Sequence, residues 1–530
     1  MYFLVLIVSL ITIIPLITIF KGIIDLNINL EYLNFLREFS LKIYIANSLT
    51  ILFWVLIFTF CLGVYSAYLV SFYKFPFSNF FKYSLILSFA IPPYIFAYSL
   101  SAFFENYGTG YSILSFFFNE NLSNKLIPNL NPVIGTIFSL SFSLFGYIYI
   151  LARLSFVNQS YKLLEVSSNL GFSSIETLYK VIIPSARPAI FVGLCLVAME
   201  TLSDFGTVTF FGVSTLITGI YNSWFIFDDL ASANILSLFL LIFILFFFCI
   251  ESLSSKESKY HLSSNSSTKQ KELICLKGSK SIYAFSFCSL VFFFSFLFPM
   301  FQMSFWAFKF PEHYENLDLV KLNFNTLKVI ILTSIIIIFF SFFTNFCIRI
   351  LKKRSLKLFA SLSISGYAIP GILISVSTIT FFSMLNELFE INLKSFFIGS
   401  IYGLLLGYLF RFYSISFNGI RSGYLKINQS IDESAFLLGF SKLQTLREIH
   451  LPFFKKNFFF IFILISLEII KELPITLILR PFNFDTFSTK AYDYASQDLI
   501  EAASVPSIFL IIWTTFLVTL SIKYFLSEEK

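Results

Sequence analysis

The chain has 530 residues, of which 57% are hydrophobic and only 13% are charged, and its mean hydropathy is +0.82. A soluble domain carries charge on roughly a quarter of its residues, so this chain has too little polar surface for a fold surrounded by water. The location of the net charge of +7 matters more than its size. The composition therefore predicts an all-α polytopic membrane protein.

Twelve apolar stretches are long enough to cross about 30 Å of hydrocarbon as helices of about 20 residues. They lie near 2–20, 47–70, 84–104, 133–152, 188–211, 233–251, 282–303, 326–347, 360–385, 396–418, 457–479 and 504–526. The first stretch follows no basic segment and precedes no small-residue cleavage site, which favours a retained helix over a signal peptide. About twelve transmembrane helices are expected.

The distribution of Lys and Arg predicts which loops lie inside the cell. With the N-terminus inside, about two thirds of the 37 basic residues fall in the C-terminal tail and the inside loops, as the positive-inside rule requires. Those loops include 71–83, 153–187, 252–281, 348–359 and 419–456. Both termini are therefore predicted to be cytoplasmic, and the Ser- and Lys-rich segment 252–281 is predicted to be a linker.

The cysteine and histidine residues form no metal-binding pattern. The six cysteines lie singly, so their spacing predicts neither a metal site nor a disulfide framework. His261 lies in the linker, His313 in an outside segment and His450 in the loop 419–456, where a surface position is expected. We predict no firm metal site.

An internal repeat relates the two halves of the chain. Residues 161–190 and 429–458 share seven residues at a constant separation of 268 positions. The shared residues include Glu165, Gly171 and Pro184 in the first copy, and Glu433, Gly439 and Pro452 in the second. Each copy is expected to form two short helices around its glycine, which suits the left-handed end of a helix.

The residues after each glycine predict a new helix. Ser173 with Glu176, and Ser441 with Gln444, fit capping boxes, and the two prolines fit the first turn of the following membrane helix. The repeat also extends beyond the loops. Glu200 pairs with Glu468 and Asp204 with Glu472 at 268 positions, and Asn47 pairs with Asn325 at 278. Each half is therefore predicted to be a six-helix unit in parallel repeat.

The repeated pattern resembles the EAA motif of type I ABC-importer permeases, in which a glycine follows a glutamate and an aliphatic-x-aliphatic-proline run comes later. Val181, Ile183 and Pro184 complete the first copy, and Ile449, Leu451 and Pro452 the second. Neither copy keeps both alanines that follow the glutamate in that family. The resemblance implies two docking loops, 165–184 and 433–452, that each bind an ATP-hydrolysing subunit.

Segments near the fifth span of each half resemble fused, two-domain permeases of iron(III) ABC importers. They read METLSDFGTVTFFGV at 199–213 and TGIYNSWF at 218–225, then GYAIPG at 366–371 and KELPITLILRPFNFDTFSTKAY at 471–492. The resemblance covers nearly the whole chain and implies a permease for iron(III) in the bacterial cytoplasmic (inner) membrane. Permeases for thiamine, phosphonate or polyamine share the docking loop and remain alternatives.

The same resemblance implies the partners and domain boundaries. The partners are two copies of an ABC ATPase subunit, a periplasmic or extracytoplasmic solute-binding protein and membrane lipid, with no nucleic acid. No G-x-x-x-x-G-K-[ST] loop occurs, so ATP is used by the partner, and neither enzyme activity nor a bound cofactor is expected here. The expected divisions are 1–42 (first helix and outside loop), 43–251 (first type-1 domain), 252–281 (linker), 282–321 (seventh helix and outside loop) and 322–526 (second type-1 domain).

Charged residues occur within or at the outer ends of the fifth and eleventh spans: Glu200, Asp204, Glu468, Lys471 and Glu472. Charge at membrane depth costs about 2.5–3.5 kcal/mol per residue, so such side chains normally face a pathway or a partner. Each carboxylate pair is spaced i, i+4 and is expected on one helix face. The carboxylates either line the path as oxygen ligands for ferric ion, or pair with Lys471 and brace the break near Pro474.

Two further features leave alternatives open. Pro92, Pro93 and Pro370 interrupt the third and ninth spans, as kinks near a central cavity or as packing kinks. A secondary transporter or channel is the alternative function of another class, but it has no need of duplicated docking loops. A membrane enzyme is weaker still, because no nucleophile, metal or acid–base arrangement emerges.

Overall fold

The computed structural model describes residues 17–18, 34, 36–119, 125–158, 167, 169–262, 273–315, 317–353, 355–356, 364–389 and 396–528. Within these ranges the chain is almost entirely helical. Its only strands there are Tyr73–Lys74 and Ile274–Cys275, which pair in parallel. The predicted all-α fold is confirmed.

The helices of the first half are Leu41–Phe72, Ser78–Ser84, Pro93–Phe104, Thr109–Phe117, Pro132–Asn158, Ser174–Thr177, Ile183–Ser203, Gly206–Phe210, Leu216–Tyr221 and Leu230–Leu262. Those of the second half are Ser279–Phe292, Phe298–Lys309, Glu312–Glu315, Leu319–Leu351, Gly371–Phe389, Ile401–Lys426, Gln429–Leu437, Lys442–Thr445, Leu451–Lys471, Pro474–Leu479, Phe487–Ala495 and Ile500–Glu528. The 3-10 turns are Leu85–Ala90 and Ile364–Ala368, and the π-helical turns are Leu36–Ser40, Leu178–Ile182, Asn222–Ile226, Phe293–Leu297 and Leu446–His450.

Seven of the described helices are long and apolar enough to cross a membrane, and each coincides with a predicted span. They are Glu38–Phe72, Pro132–Val157, Leu178–Ser203, Leu230–Glu251, Ser279–Lys309, Leu319–Leu351 and Ile500–Tyr524. The bent pair Ser78–Ala90 and Pro93–Phe117 makes an eighth if it is counted as one span.

The other four predicted spans do not meet that criterion within the described residues. The stretch near 2–20 lies outside them except for Ile17 and Thr18, and the stretch near 360–385 is described as a shorter apolar helix, Gly371–Asn386. The stretches near 396–418 and 457–479 are long helices. They are more polar because they carry charged residues such as Arg411 and Glu468, which belong to the site described below.

Proline breaks the third predicted span into two pieces that meet at 91°. The carbonyl of Ala90 lies at this break, and the hydroxyl of Thr514, on the last helix, donates a hydrogen bond of 2.7 Å to it. In lipid a carbonyl at a helix break needs a partner from the protein, so the last helix stabilises the break. Pro370 similarly separates the 3-10 turn Ile364–Ala368 from helix Gly371–Phe389.

A short capped helix lies beyond the fifth span of each half, and both copies are held in the same way. Capping boxes between Thr215 and Thr218, and between Thr486 and Thr489, start these helices. The amides of Asn47 and Asn325 donate to the backbone carbonyls just before the caps, at 2.8 and 3.0 Å. The predicted pairing of Asn47 with Asn325 thus corresponds to a repeated contact.

The seventh predicted span packs against the first half of the chain. Several aromatic ring pairs join Ser279–Lys309 to the first half, among them Tyr65–Phe287, Phe80–Phe292 and Phe103–Phe298, with centroids 4.8–5.6 Å apart. Gln302 and Trp306 also donate hydrogen bonds to the hydroxyl of Thr109. The two halves are therefore interlocked.

The predicted linker 252–281 contains regular structure at both ends. The helix that begins at Leu230 continues to Leu262, and Ile274–Cys275 pairs with Tyr73–Lys74 at the end of the second predicted span. Residues 263–272 lie outside the described residues. Part of the predicted linker thus continues the preceding helix, because Ser, Lys and Glu are compatible with a helical backbone.

Replacing Thr514 with Val removes the hydroxyl that binds Ala90 and preserves the shape of the side chain. We expect the purified chain to lose about 1–2 kcal/mol of unfolding free energy, since a buried carbonyl loses its partner. Thermal unfolding in detergent measures this loss. Thr519→Val is the matched control, because Thr519 is on the same helix and bonds to its own helix at Phe516. Equal melting temperatures for the two variants would contradict the role of Thr514.

Candidate functional site

The second docking loop has the conformation that its sequence predicts. Gly439 has a left-handed φ of +84°, and the amide of Phe440 donates to the carbonyl of Ala435 at 3.0 Å, which ends helix Gln429–Leu437. The predicted capping box follows, with hydrogen bonds of 2.8 and 3.3 Å between Ser441 and Gln444. Glu433 is exposed on the preceding helix, so its carboxylate is open to a partner.

The described part of the first docking loop repeats this geometry. Gly171 has a φ of +76°, and Ser173 and Glu176 form the other predicted capping box. Hydrogen bonds from the Ser173 amide and the Lys180 ammonium lower the pKa of Glu176 to about 2, so its carboxylate is ionised at neutral pH. Glu165 lies outside the described residues, and its place in the loop stays a prediction.

Each docking loop is continuous with a membrane helix. Pro184 and Pro452 lie in the first turn of helices Ile183–Ser203 and Leu451–Lys471, as predicted. However, no break separates the short capped helix of each loop from the membrane helix that follows it. A π-helical turn joins the two helices. The wider π turn accommodates a proline that lacks an amide donor. A displacement of either loop therefore moves the membrane helix with it.

A buried ionic cluster holds the second docking loop against the membrane helices. Arg349 Nε lies 2.6 Å from Asp432 Oδ2, which belongs to the first helix of the loop. Arg349 also donates to the backbone carbonyls of Tyr424, Ile427 and Asn428. On the other side of the carboxylate, His450 Nε2 lies 2.9 Å from Asp432 Oδ1. The cluster therefore fixes where the loop leaves the membrane.

The expected surface position of His450 is wrong. Its ring is fully buried and packs against Phe346 and Tyr424, because Asp432 supplies a polar partner inside the protein. Burial lowers the pKa of His450, although the adjacent carboxylate acts in the opposite direction. The ring is therefore neutral at neutral pH.

The first docking loop is held by apolar packing instead. At the positions equivalent to Arg349, Tyr424 and His450, the first half has Ser71, Phe156 and Ile182. Phe156 and Ile182 are buried, and the ring of Phe156 lies 5.8 Å from that of Phe72. The two loops thus share their surface conformation but differ in what anchors them.

The four candidate path carboxylates do not form two helix faces. The fifth-span helix ends before Asp204, whose ψ of 120° is extended, and the eleventh-span helix ends in the same way before Glu472, at ψ 119°. The expected i, i+4 arrangement is therefore wrong. Instead Asp204 accepts from the amide of Thr207 at 3.1 Å, and Glu472 from that of Ile475 at 3.2 Å, so each caps the next short helix.

Glu472 also forms a buried ion pair with Arg411. Arg411 Nη1 lies 3.1 Å from Glu472 Oε2, and the two side chains are 9% and 6% exposed. Gly371 leaves room for this pair, because a Cβ at that position would collide with both charged groups. Ser143 occupies the position equivalent to Arg411 in the first half, so the ion pair breaks the symmetry of the repeat.

Glu200 and Glu468 are the carboxylates that cap no helix. Glu200 Oε1 accepts a hydrogen bond of 2.9 Å from the hydroxyl of Tyr367, which belongs to the other half. That hydroxyl lies 3.4 Å from the hydroxyl of Tyr147. Glu468 lies 3.4 Å from Lys471 and keeps 26% of its side chain exposed. The bracing role therefore fits Asp204 and Glu472, and Glu468 pairs with Lys471 as the bracing alternative expected, whereas Glu200 is held by a hydroxyl from the other half.

Two adjoining cavities contain these residues. The carboxylate cavity, of about 110 Å³, is lined by the four candidate carboxylates, Arg411 and Lys471. Pro92 and Pro93 also line it, so the predicted kink of the third span near a cavity is confirmed. The apolar cavity, of about 380 Å³, lies between the halves and is lined by residues such as Leu151 and Leu464.

The lining of the carboxylate cavity suits a cation that passes through. Its four carboxylates exceed its two basic side chains, so the lining is acidic. Nevertheless, among the described residues no three His, Cys, Asp or Glu side chains are placed to hold a metal ion. The carboxylates are thus distributed along a cavity and not gathered around one point.

The roles of Arg411, Tyr147 and Tyr367 were not predicted from the sequence. Arg411 had a usable signal, because it is a charge inside the predicted span near 396–418. Tyr367 lies in the GYAIPG run at 366–371 that carries the resemblance, but only folding brings it to Glu200, 167 positions away. Tyr147 had no signal among the 27 tyrosines of the chain.

Comparison with known proteins agrees with this architecture. Residues 59–258 match the family described as binding-protein-dependent transport system inner membrane component. The chain is also similar to the Fe(3+)-transport system permease protein FbpB 2 of Haemophilus influenzae, with 23% identity over 489 residues, 91% of this chain and 89% of that protein. Residues 59–258 thus form a domain of this transport family within a multi-pass membrane protein. The expected domain boundaries stay predictions.

Removing one member of the Arg411–Glu472 pair should destabilise the chain. We expect Arg411→Met to cost about 3–5 kcal/mol of unfolding free energy, because it leaves a buried carboxylate without its cation. Arg421→Met is the matched control, since Arg421 is exposed on the same helix. Adding Glu472→Gln to Arg411→Met should recover part of the loss, because Gln is neutral and still accepts from Ile475. A double variant less stable than Arg411→Met would contradict the pairing.

Proposed function

We propose that this chain, a permease subunit of a binding-protein-dependent transport system, translocates iron(III) across the bacterial cytoplasmic membrane. The carboxylate cavity carries this proposal, because it places four carboxylates where the interrupted spans of both halves meet. Ferric ion is a hard cation that prefers oxygen ligands. The similarity over 91% of the chain to a permease named for Fe(3+) transport supports the same cargo.

Two copies of a separate ABC ATPase subunit supply the energy, and each binds one docking loop. The chain itself hydrolyses no ATP and holds no cofactor. Two left-handed glycines, two capping boxes and exposed Glu433 support this role, since they make each loop a rigid projection. Because the loops continue into the membrane helices that end at Asp204 and Glu472, closure of the ATPase pair would move the carboxylates directly.

The cargo enters from the opposite side of the membrane, where a periplasmic or extracytoplasmic solute-binding protein releases it. Glu200 and Glu468 act as transient oxygen ligands along the path, while Asp204 and Glu472 maintain its shape. Both chain termini and both docking loops lie in the cytoplasm, in agreement with the positive-inside rule.

Reconstitution tests the cargo and the path together. Proteoliposomes that contain this chain, its ATPase and its binding protein should take up labelled ferric ion only with ATP. Glu200→Gln combined with Glu468→Gln should reduce uptake at least about a hundredfold, because two desolvated anionic ligands are lost. Asp318→Asn is the control, since Asp318 caps helix Leu319–Leu351 and Asn caps equally well.

Two outcomes would refute these assignments separately. ATP-dependent uptake of an organic cation in place of ferric ion would refute the cargo. Normal ferric uptake by the double glutamine variant would refute the path. Uptake that needs no ATPase would instead favour a secondary transporter or channel.

Adjacent residues distinguish docking from anchoring in the second loop. Glu433→Ala should reduce binding of the ATPase about tenfold without changing the melting temperature of the isolated permease, because its side chain is exposed. Asp432→Ala should instead lower stability by about 3 kcal/mol, because it removes the carboxylate that neutralises the largely buried Arg349. Copurification and thermal unfolding measure the two effects. Unchanged ATPase binding by Glu433→Ala would exclude that residue from the docking surface.

A further inference from the structure

A thin layer of side chains separates the carboxylate cavity from the apolar cavity. Phe89, Tyr147, Glu468 and Lys471 line both cavities. Glu200, in contrast, lines only the carboxylate cavity. Glu200 is therefore accessible from the carboxylate cavity but not from the apolar cavity.

Tyr147, one of these side chains, contacts both halves of the protein. Its ring is perpendicular to that of Phe89, with centroids 4.7 Å apart, and its hydroxyl lies 3.4 Å from that of Tyr367. Phe89 and Tyr367 occupy equivalent positions in the repeat, 278 residues apart. Phe89 and Tyr367 each lie in a 3-10 turn just before a proline that interrupts the helix. Helices bend most readily at such prolines, so Tyr147 contacts the two segments best placed to bend.

One hydrogen bond connects this layer to the carboxylates. The hydroxyl of Tyr367 donates to Glu200 Oε1 at 2.9 Å, and this bond joins the second half to the fifth span of the first half. A neutral hydroxyl that donates to a carboxylate competes poorly with a trivalent cation for the same oxygen, because the cation is attracted by charge as well. The bond is thus placed where a cargo cation can break it.

We propose that Glu200, Tyr367 and Tyr147 form a latch between the cavities that a hard, multivalent cation opens. The cation binds the Glu200 carboxylate and displaces the Tyr367 hydroxyl. The 3-10 turn Ile364–Ala368 is then released, and Tyr147 loses its contact with the second half, so the layer separates. This inference rests on the proposed function, since it assigns the cargo a second role as the signal that opens its own path.

Two conservative variants separate the latch from the cation site. Tyr367→Phe keeps the ring and removes the donor, so passive leak of rubidium ion through the proteoliposomes should rise about tenfold, as expected on losing one hydrogen bond to a charged group. Glu200→Gln keeps an oxygen that accepts from Tyr367 but loses the negative charge. It should leave the rubidium leak unchanged and abolish ATP-driven ferric uptake.

Tyr98→Phe is the matched control, because the Tyr98 hydroxyl is buried and has no hydrogen-bond partner among the described residues. Its leak and uptake should equal those of the original chain. A Tyr367→Phe leak equal to that of Tyr98→Phe would overturn the latch, and normal ferric uptake by Glu200→Gln would overturn its opening by the cation. If the original chain takes up no ferric ion, the proposed cargo fails, while the rubidium leak still decides whether the latch exists.

Discussion

A buried charge in an apolar interior must have a partner, and this requirement explains the arrangement around Glu472. Its carboxylate pairs with Arg411 and accepts from the amide of Ile475, while its backbone carbonyl accepts from Thr476 and Ser488. One residue therefore neutralises a buried arginine, ends the eleventh span and starts the next helix. The break in the span stays stable because these polar groups satisfy one another, and the carboxylate cavity forms beside it.

The two halves share the residues that set backbone geometry and differ in the residues that carry buried charge. Both halves have a left-handed glycine and a capping box in the docking loop, an acidic cap after the fifth span, and an asparagine that holds the following segment. Arg411 and the Arg349–Asp432–His450 cluster occur only in the second half. The buried Arg–carboxylate pairs of the described residues thus lie in the second half, and Glu200 of the first half contacts that half through Tyr367.

Features that depend on neighbouring residues could be predicted from the sequence. The capping boxes, the glycine ends and the proline break at Pro92 all follow from local backbone chemistry. Predictions failed where a distant residue decides the outcome. Periodicity placed Asp204 on a helix face because it cannot detect that an acidic cap ends the helix one residue earlier, and His450 seemed exposed because its partners lie far away in sequence. Spans near 396–418 and 457–479 were found even though their interior charges reduce their hydropathy.

In the proposed mechanism a single layer separates two cavities, so that the path opens to one side of the membrane at a time. Accessibility of single cysteines tests this claim most directly, in a variant without the six native cysteines. Ser143→Cys reports on the carboxylate cavity and Ser521→Cys on the apolar cavity. A membrane-impermeant thiol reagent should reach the two positions from opposite sides of the membrane. ATP binding should change which of the two cysteines is accessible to the reagent. Simultaneous reaction of both positions from the same side would contradict the account and indicate a continuous channel.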